Sequence, residues 1–350
     1  MSTTLSLKEA QCAGPPSLAL PIARYRFSFI AEDAVAFPAM AGSAWRGVLG
    51  HALKRTVCVT RAPVCAGCLL QYSCSYPYIF ETPPPRASRK MRRYRTVPHP
   101  YILDTRDCDG RSIGPGQAVT IGLTLVGRGN QHLPYLIHAL TRGAEHGIGR
   151  GRGRLALAEV VQESVDGDGP GVPGERIYAP GEALSAAAPK IPDDLAPPLS
   201  GASLIFETPL RVKREGRLVA AEALAFADLF GSLLRRISML MEFHGEVPLE
   251  ADFAALMALA RRVDWGERQF RWREEGRYSS RQKALMRIGG IVGTAALPGD
   301  MPATLWPYIQ LGQWVHAGHL ATMGFGGYRI VVMDAGGRRE SPEGRMSGLP

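Results

Sequence analysis

Two glycine-rich stretches, one in each half of the chain, constrain the fold more than any other feature. The first, residues 147–157, alternates Gly and Arg before an apolar run, and the second, residues 318–332, ends in a segment that alternates like a strand. Glycine lacks a Cβ and adopts positive φ readily, so another backbone can approach it closely. Two such loops, each leading into a strand late in its half, predict two similar domains that together bind something anionic.

Length and charge agree with that interpretation. The chain has 350 residues, 45 % of them apolar, which suits two globular domains better than one core. Its formal net charge is +9, and of its 41 basic residues six are lysines and 35 are arginines. Guanidinium groups bind phosphate in bidentate fashion and stack on bases, whereas an ammonium group is a point charge. A nucleic-acid partner is therefore expected first, and an anionic membrane surface second.

The same sequence indicates a cytoplasmic location. No apolar run reaches the length of a membrane span, and the first 20 residues lack the basic and apolar regions of a signal peptide. We expect no membrane partner. In a reducing compartment, cysteines serve as thiols or metal ligands rather than as disulfides.

The order of patterns predicts an α+β fold built from tandem ferredoxin-like (RRM-like) domains. Strand, helix, strands, helix and strand follow one another across the first half, among them a strand over Ala118–Val126 and a helix over 133–144, and strand and helix patterns recur in the second. A stretch rich in Pro, Gly and Ala separates the halves, and a short hairpin around 176–178 is the one element expected within it. The predicted divisions are an N-terminal domain with a cysteine-rich insertion at 20–161, a linker at 162–200, a C-terminal domain with its glycine-rich loop at 201–333, and a disordered tail at 334–350.

The first predicted helix carries a cationic face with one imidazole. Its apolar stripe recurs at helical spacing from Trp45 to Leu53, which turns His51, Lys54 and Arg55 away from the core. Gly47 also lies towards this polar side, and glycine is costly inside a helix, so something is expected to pack or bind closely there.

Four cysteines follow the helix with the spacing C-x6-C-x2-C-x5-C: Cys58, Cys65, Cys68 and Cys74. The central C-x2-C pair can chelate one ion, and four thiolates complete a tetrahedral zinc site. Such a site has no open coordination position, so we expect structural zinc and no catalytic metal. The alternative is four reduced structural cysteines.

Basic segments recur along the chain. Residues 86–95 hold six cations and one tyrosine, a composition that favours phosphate contact over a merely solvated face. The first glycine loop resembles a phosphate-binding nest. In the second half, Arg277, Arg281 and Lys283 could form a phosphate clamp, the alternative being the exposed start of a helix.

Several of these segments together resemble one known family. They are Trp-Arg-Gly-x-Leu-Gly-His-Ala-Leu-Lys-Arg at 45–55, the cysteines before 80–83, Arg-Tyr-Ser-Ser-Arg-Gln-Lys and the glycines that follow it at 277–293, the run 311–318, and the loop 324–328. The chain is similar there to the CRISPR-associated endoribonucleases that cut precursor CRISPR RNA, the sixth CRISPR-associated family, within the RAMP superfamily.

The resemblance implies recognition of a CRISPR repeat hairpin and metal-independent cleavage. A ribose 2′-hydroxyl attacks the adjacent phosphate and leaves a 2′,3′-cyclic phosphate, and the mature crRNA is expected to stay bound. The alternative is a non-cleaving, crRNA-binding RAMP subunit of a CRISPR effector complex. A third and weaker alternative is a zinc-stabilised regulatory protein that binds nucleic acid. The implied partners are precursor crRNA and, beyond it, subunits of an effector complex.

The resemblance also assigns residues. It implies that His51 is catalytic, with Lys54 or Arg55 as its electrostatic partner, and of these two we choose Lys54. The alternative for His51 is an imidazole that contacts phosphate or simply lies at the surface, and His316 and His319 are then the other candidates for the catalytic role. The residues expected to bind RNA are Arg46, Arg55, Arg89, Arg92, Arg93, Arg150, Arg152, Arg277, Arg281, Lys283, His316, His319, Gly324 and Gly326. For His316 and His319, a structural role in capping the glycine loop is an equal alternative. Phe37 stands where some relatives have a tyrosine, so no general acid is evident, and His138 and His146 receive no role.

Overall fold

The computed structural model describes residues 18–85, 97–167, 169–193, 196–279 and 284–332, apart from the side chains of 275–279 and 284–287. Its helices are α1 (Gly42–Val57), α2 (Leu133–Glu145), α3 (Phe226–His244), α4 (Phe253–Ala260) and α5 (Trp306–Val315). Its strands are β1 (Ile22–Ala31), β2 (Val35–Ala36), β3 (Tyr101–Asp104), β4 (Ser112–Ile113), β5 (Ala118–Val126), β6 (Leu155–Ser164), β7 (Val172–Tyr178), β8 (Ala202–Leu210), β9 (Lys213–Arg214), β10 (Arg217–Leu218), β11 (Arg268–Ser279), β12 (Ala284–Leu297) and β13 (Tyr328–Val332).

The first domain is a ferredoxin-like unit with one additional strand. Its sheet runs β3-β5-β1-β6-β7, and every neighbouring pair is antiparallel. Helix α1 follows β1 and helix α2 follows β5, so that β1-α1-β3-β5-α2-β6 forms the β-α-β-β-α-β unit. The short pairs β2–β4 and β9–β10 lie outside the two main sheets.

The second domain repeats the same strand order. Its sheet runs β11-β12-β8-β13 and is also antiparallel. Here β8, β11, β12 and β13 take the places of β1, β3, β5 and β6, while α3 and α5 take the places of α1 and α2. The prediction of an α+β protein with tandem ferredoxin-like domains is confirmed.

Two expectations need correction. Residues 162–200 are not only a linker, because β7 pairs with β6 inside the first sheet. That strand contains a proline and a glycine and is largely exposed, as befits an edge strand, so its sequence lacks the usual strand pattern. The alternative of a helix start at Arg277 is also wrong, since this residue lies on β11 within a long antiparallel hairpin.

Each domain buries an apolar core against its sheet. In the first, Trp45 of α1 is fully buried and its ring lies 5.1 Å from that of Phe29 on β1. In the second, Phe230 of α3 packs edge-on to Tyr308 of α5 at 5.5 Å. These are the stripes that helical and strand spacing place on one face of each element.

The second glycine loop sits against the first domain. Gly324 has φ +86°, and a Cβ there would lie 2.9 Å from the carbonyl oxygen of Leu103 on β3. At Gly42, where α1 begins, a Cβ would overlap the carbonyl oxygen of Met323. The two domains therefore meet through backbone contacts that only glycine permits. No helix in the described part of the chain has both the length and the apolar character needed to cross a membrane.

Candidate functional site

The two helices of the first domain approach each other closely enough to form a cleft along one side of their contact. The contact point is Gly143 on α2, where a Cβ would overlap a methyl group of Val48 on α1 and lie 3.4 Å from the Cβ of Ala52. Beside this contact, α1, α2 and the first glycine loop enclose a cleft of about 690 Å³. A site between packed elements is where a ligand pocket is expected.

The cleft is lined by imidazole and guanidinium groups. Its ionisable residues are His51 and Arg55 from α1, His138, Arg142 and His146 from α2, and Arg152 from the glycine loop. All six are exposed to solvent, and none of the residues that line the cleft is acidic. Arg142 forms an ion pair with Glu145 at 2.7 Å, but both side chains are largely solvated, so the pair is weak. The cleft therefore suits a phosphate-bearing ligand.

His51 is a group in the cleft that is oriented for proton transfer. Its Nδ1 lies 2.9 Å from the carbonyl oxygen of Gly47, one turn earlier on α1. A carbonyl oxygen only accepts, so Nδ1 carries the hydrogen, and in the neutral ring Nε2 holds a free lone pair. Gly47 also lines the cleft, and a Cβ there would meet nothing within 4 Å. Gly47 lowers the stability of α1, and its missing side chain leaves open space beside the imidazole.

The first glycine loop supplies side chains to the cleft, but its amides are used inside the fold. The N–H of Ile148 donates to Gly153, that of Arg150 to Ala36, and that of Arg152 to Gly149. The interpretation of the loop as a phosphate-binding nest is therefore wrong at these positions. Arg150 and Arg152 are both exposed, and of the two Arg152 lines the cleft.

Lys54 and Arg46 make their contacts outside the cleft. Lys54 donates its Nζ hydrogen to the carbonyl oxygen of Pro63 at 2.9 Å and lies 5.5 Å from the ring centre of Tyr76, beside the cysteine segment. The Arg46 guanidinium stacks over the ring of Phe80 at 4.3 Å. Neither lines the cleft, so Arg55 takes the place beside His51 that we expected for Lys54.

Three predicted residues in or just before the second glycine loop are buried by the fold itself. Gly326 has φ +71° and no room for a Cβ beside the Ala317 carbonyl, while Gly324 rests on β3. His316 is 6 % exposed, and its Nδ1 lies 3.0 Å from the carbonyl oxygen of Phe325. Burial lowers the pKa of His316 to about 4, so it is neutral. Of its two open roles, the geometry favours the cap of the loop.

His319 differs from His316 because it is exposed. Its backbone N–H donates to the carbonyl oxygen of Arg211 at 2.9 Å. Partial burial lowers its pKa, and the nearby cations of Lys213, Arg211 and Arg235 act in the same direction. His319 thus belongs to a second cationic surface, on the C-terminal domain.

Several predicted RNA-binding residues cannot be placed. Arg89, Arg92, Arg93, Arg281 and Lys283 lie outside the described residues. Arg277 lies on β11, but its side chain is not described. These assignments stay predictions.

The four predicted zinc ligands come together, but not as a formed metal site. Cys58, Cys65, Cys68 and Cys74 line one small cavity next to Tyr76. The Thr60 hydroxyl lies between two of them, 3.8 Å from the Cys58 sulfur and 3.6 Å from the Cys68 sulfur. Within the ranges the structure describes, no three potential ligands are arranged to hold a metal ion.

Sequence reasoning missed the α2 side of the cleft. His138, Arg142 and His146 are spaced four residues apart, which places them along one face of the helix. The spacing could be seen in the sequence, but the sequence did not show that this part of α2 packs beside α1. Two histidines outside the cleft differ from these: burial lowers the pKa of half-buried His99 to about 3 and that of buried His244 to about 4, which fits structural roles.

Comparison with known proteins finds the same two-part organisation. Residues 20–190 match a family model described as an N-terminal domain, and residues 204–328 match the model of the CRISPR-associated endoribonuclease Cas6. A Cas6 product complex from Thermus thermophilus superposes with a TM-score of 0.54 at 16 % identity, covering 89 % of this chain and 99 % of that one.

A second solved structure gives the same picture of the fold. A chain of a partial Cas6-RT-Cas1–Cas2 complex has a TM-score of 0.54 at 13 % identity, covering 91 % of this chain and 47 % of that one. At such identities the structural likeness shows the tandem fold alone. The comparison with curated protein sequences finds no match.

Proposed function

We propose that this CRISPR-associated RNA-processing protein cuts CRISPR repeat RNA in precursor crRNA at the cleft between α1 and α2. Its C-terminal domain matches the Cas6 endoribonuclease model. The observation that carries the proposal is the exposed imidazole of His51, fixed by the Gly47 carbonyl in a cleft with Arg55, Arg142 and Arg152. An endonuclease for RNA needs a proton acceptor beside cationic groups, and this cleft supplies both.

The chemistry proposed is attack by the ribose 2′-hydroxyl. His51 Nε2 takes the proton of the 2′-hydroxyl, whose oxygen attacks the adjacent phosphorus. The bond from phosphorus to the 5′-oxygen breaks, which leaves a 2′,3′-cyclic phosphate and a 5′-hydroxyl. The guanidinium groups stabilise the negative charge that develops on the phosphoryl oxygens. No step in this scheme requires a metal ion, so we expect cleavage to continue in EDTA.

The RNA is proposed to extend from the cleft across both domains and to remain bound after cleavage. Support comes from the net charge of +9 and from the second cationic surface around His319. Contacts with phosphate are independent of sequence and weaken with salt, so they retain product as well as substrate. A role beside the subunits of an effector complex is compatible with such retention.

Replacing His51 tests the function. His51→Asn keeps an amide N–H near the position of Nδ1 but lacks the Nε2 lone pair, so the bond to Gly47 can persist. We expect single-turnover cleavage of a cognate repeat hairpin to fall about 100-fold to 10,000-fold, with repeat binding unchanged. Cleavage by the variant at the wild-type rate would remove His51 from the reaction. A wild-type protein that binds the hairpin but never cuts it, with or without EDTA, would favour the non-cleaving subunit instead.

Structural zinc at the four cysteines is also proposed. Support comes from their convergence on one cavity and from the C-x2-C spacing. Burial, with Glu81 nearby, raises the pKa of Cys65 to about 11, so bound Zn²⁺ would have to displace its proton and shift the Thr60 hydroxyl aside. We expect one zinc per chain by elemental analysis of the purified protein, and loss of the metal in a Cys65→Ser/Cys68→Ser variant. A metal-free protein of unchanged stability would refute the site.

A further inference from the structure

We propose that His146 is a second catalytic residue, the general acid that protonates the departing 5′-oxygen. The inference rests on the proposed function, because it assumes cleavage by 2′-hydroxyl attack with His51 as the base. A general acid is the group for which the sequence offered no candidate, since Phe37 stands where some relatives have a tyrosine. No tyrosine is among the residues that line the cleft.

The fold brings His146 to the cleft that holds His51. His146 caps the carboxyl end of α2, and it lies one turn beyond Arg142 and three residues beyond the Gly143 contact with α1. His51 stands three residues beyond Val48, the α1 partner in that contact. Both imidazoles are exposed and line the same cleft. Two helices thus present one imidazole each from either side of a close crossing.

The two rings are also held in the same way. The Nδ1 of His146 lies 2.6 Å from the carbonyl oxygen of Arg142, four residues earlier, as that of His51 lies 2.9 Å from Gly47. In both rings Nδ1 therefore carries the hydrogen, and Nε2 is the atom left for proton exchange. An exposed imidazole held through Nδ1 exchanges protons at Nε2 without losing its orientation.

The surroundings of His146 suit an anionic substrate. His146 stands at the carboxyl end of α2, and a general acid acts in its protonated form. The titratable and charged groups that line the cleft with His146 are His138 and Arg142 on α2, His51 and Arg55 on α1, and Arg152 on the loop, and Glu145 pairs with Arg142 beside the cleft. Their net charge is positive, as an anionic phosphate between the two imidazoles requires.

The complete step then balances. His51 Nε2 removes the 2′-hydroxyl proton as the 2′-oxygen bonds to phosphorus. The bond between phosphorus and the 5′-oxygen breaks, and this oxygen takes a proton from His146 Nε2. The two imidazoles exchange their protonation states in each turnover and recover them through solvent. The transfer uses no metal, oxidant or further reactant.

A substrate whose leaving group needs no proton tests the assignment. The repeat hairpin is prepared with oxygen at the scissile 5′ position or with sulfur there, because a thiolate departs without a proton. His146→Asn retains a donor to the Arg142 carbonyl but has no acid at Nε2. We expect it to cut the oxygen substrate about 100-fold more slowly than the wild type. On the sulfur substrate its rate should equal the wild-type rate, whereas His51→Asn should be slow on both.

Each result of this experiment decides the point. Equal loss on both substrates, or no loss on either, would overturn the role of His146 as the acid. The acid would be His138 instead if His138→Ala cut the oxygen substrate slowly and the sulfur substrate at the wild-type rate, while His146→Asn cut the oxygen substrate at the wild-type rate. If His146→Asn misfolds, His146→Gln is measured in the same way after its circular dichroism is compared with that of the wild type. Failure of the proposed function is distinct, since the wild type would then cut neither substrate.

Discussion

The contact between α1 and α2 shapes the candidate site, and Gly143→Ala tests it. Alanine in place of a helical glycine normally stabilises a protein by about 0.5–1 kcal/mol. Here the new methyl group would overlap Val48, whose branched side chain has little rotamer freedom on a helix, and insertion of a methyl into packed space costs about 1–3 kcal/mol. The net expectation is a loss of about 1–2 kcal/mol in the free energy of unfolding.

Urea unfolding followed by circular dichroism measures that change. Val48→Ala opens the space that the new methyl needs, so the double variant Val48→Ala/Gly143→Ala should recover about 1–2 kcal/mol relative to additivity. Gly47→Ala is the matched control, since a Cβ on this α1 glycine meets nothing within 4 Å and the substitution should stabilise. If Gly143→Ala also stabilises, or if the double variant is additive, the close crossing is not as the structure has it.

Three further predictions address binding, the glycine loop and pH. Arg152→Ala should weaken repeat binding and reduce the dependence of log K on log salt by about one unit, while Arg176→Ala, whose arginine is paired on the exposed edge strand, should change neither. Gly324→Ala should lower the free energy of unfolding more than Gly216→Ala, because both have positive φ (+86° and +83°) but only the first meets a neighbouring carbonyl. Burial lowers the pKa of His244 from 6.5 to about 4, so the folded state binds its proton less readily than the unfolded state. The stability that neutral His244 contributes should be complete above pH 6.5 and decline towards pH 4 by about 3 kcal/mol, a slope that His244→Gln should reduce in urea titrations.

Much of the fold could be predicted from the local pattern of apolar and polar residues. The strand at Ala118–Val126 has the bounds that its apolar run predicts, and the helix from Leu133 ends within one residue of its predicted end. Strand β7 was predicted only at its end, as a short hairpin around 176–178, because a proline, a glycine and exposed charges give it no apolar alternation and pairing with β6 defines its length. Local sequence specifies elements with a buried face and leaves edge strands to tertiary contacts.

Only the α1 side of the site could be predicted from the sequence. Helical spacing turned His51 and Arg55 away from the core, and both line the cleft. The same spacing could not show that Lys54 meets the Pro63 carbonyl, because the loop after α1 delivers that partner. Nor could it show that His316 is buried, since the covering residues come from elsewhere in the fold. Side-chain roles that depend on a loop or on a second element need the tertiary structure.

A single 2′-deoxy substitution at the scissile nucleotide of the repeat hairpin tests the central claim most directly. The 2′-hydroxyl is the proposed nucleophile, so the protein should bind this hairpin as tightly as the all-RNA hairpin and leave it uncut. The all-RNA hairpin, cut in EDTA, should yield a 2′,3′-cyclic phosphate end. Cleavage of the deoxy-substituted hairpin at the same phosphate would contradict the account.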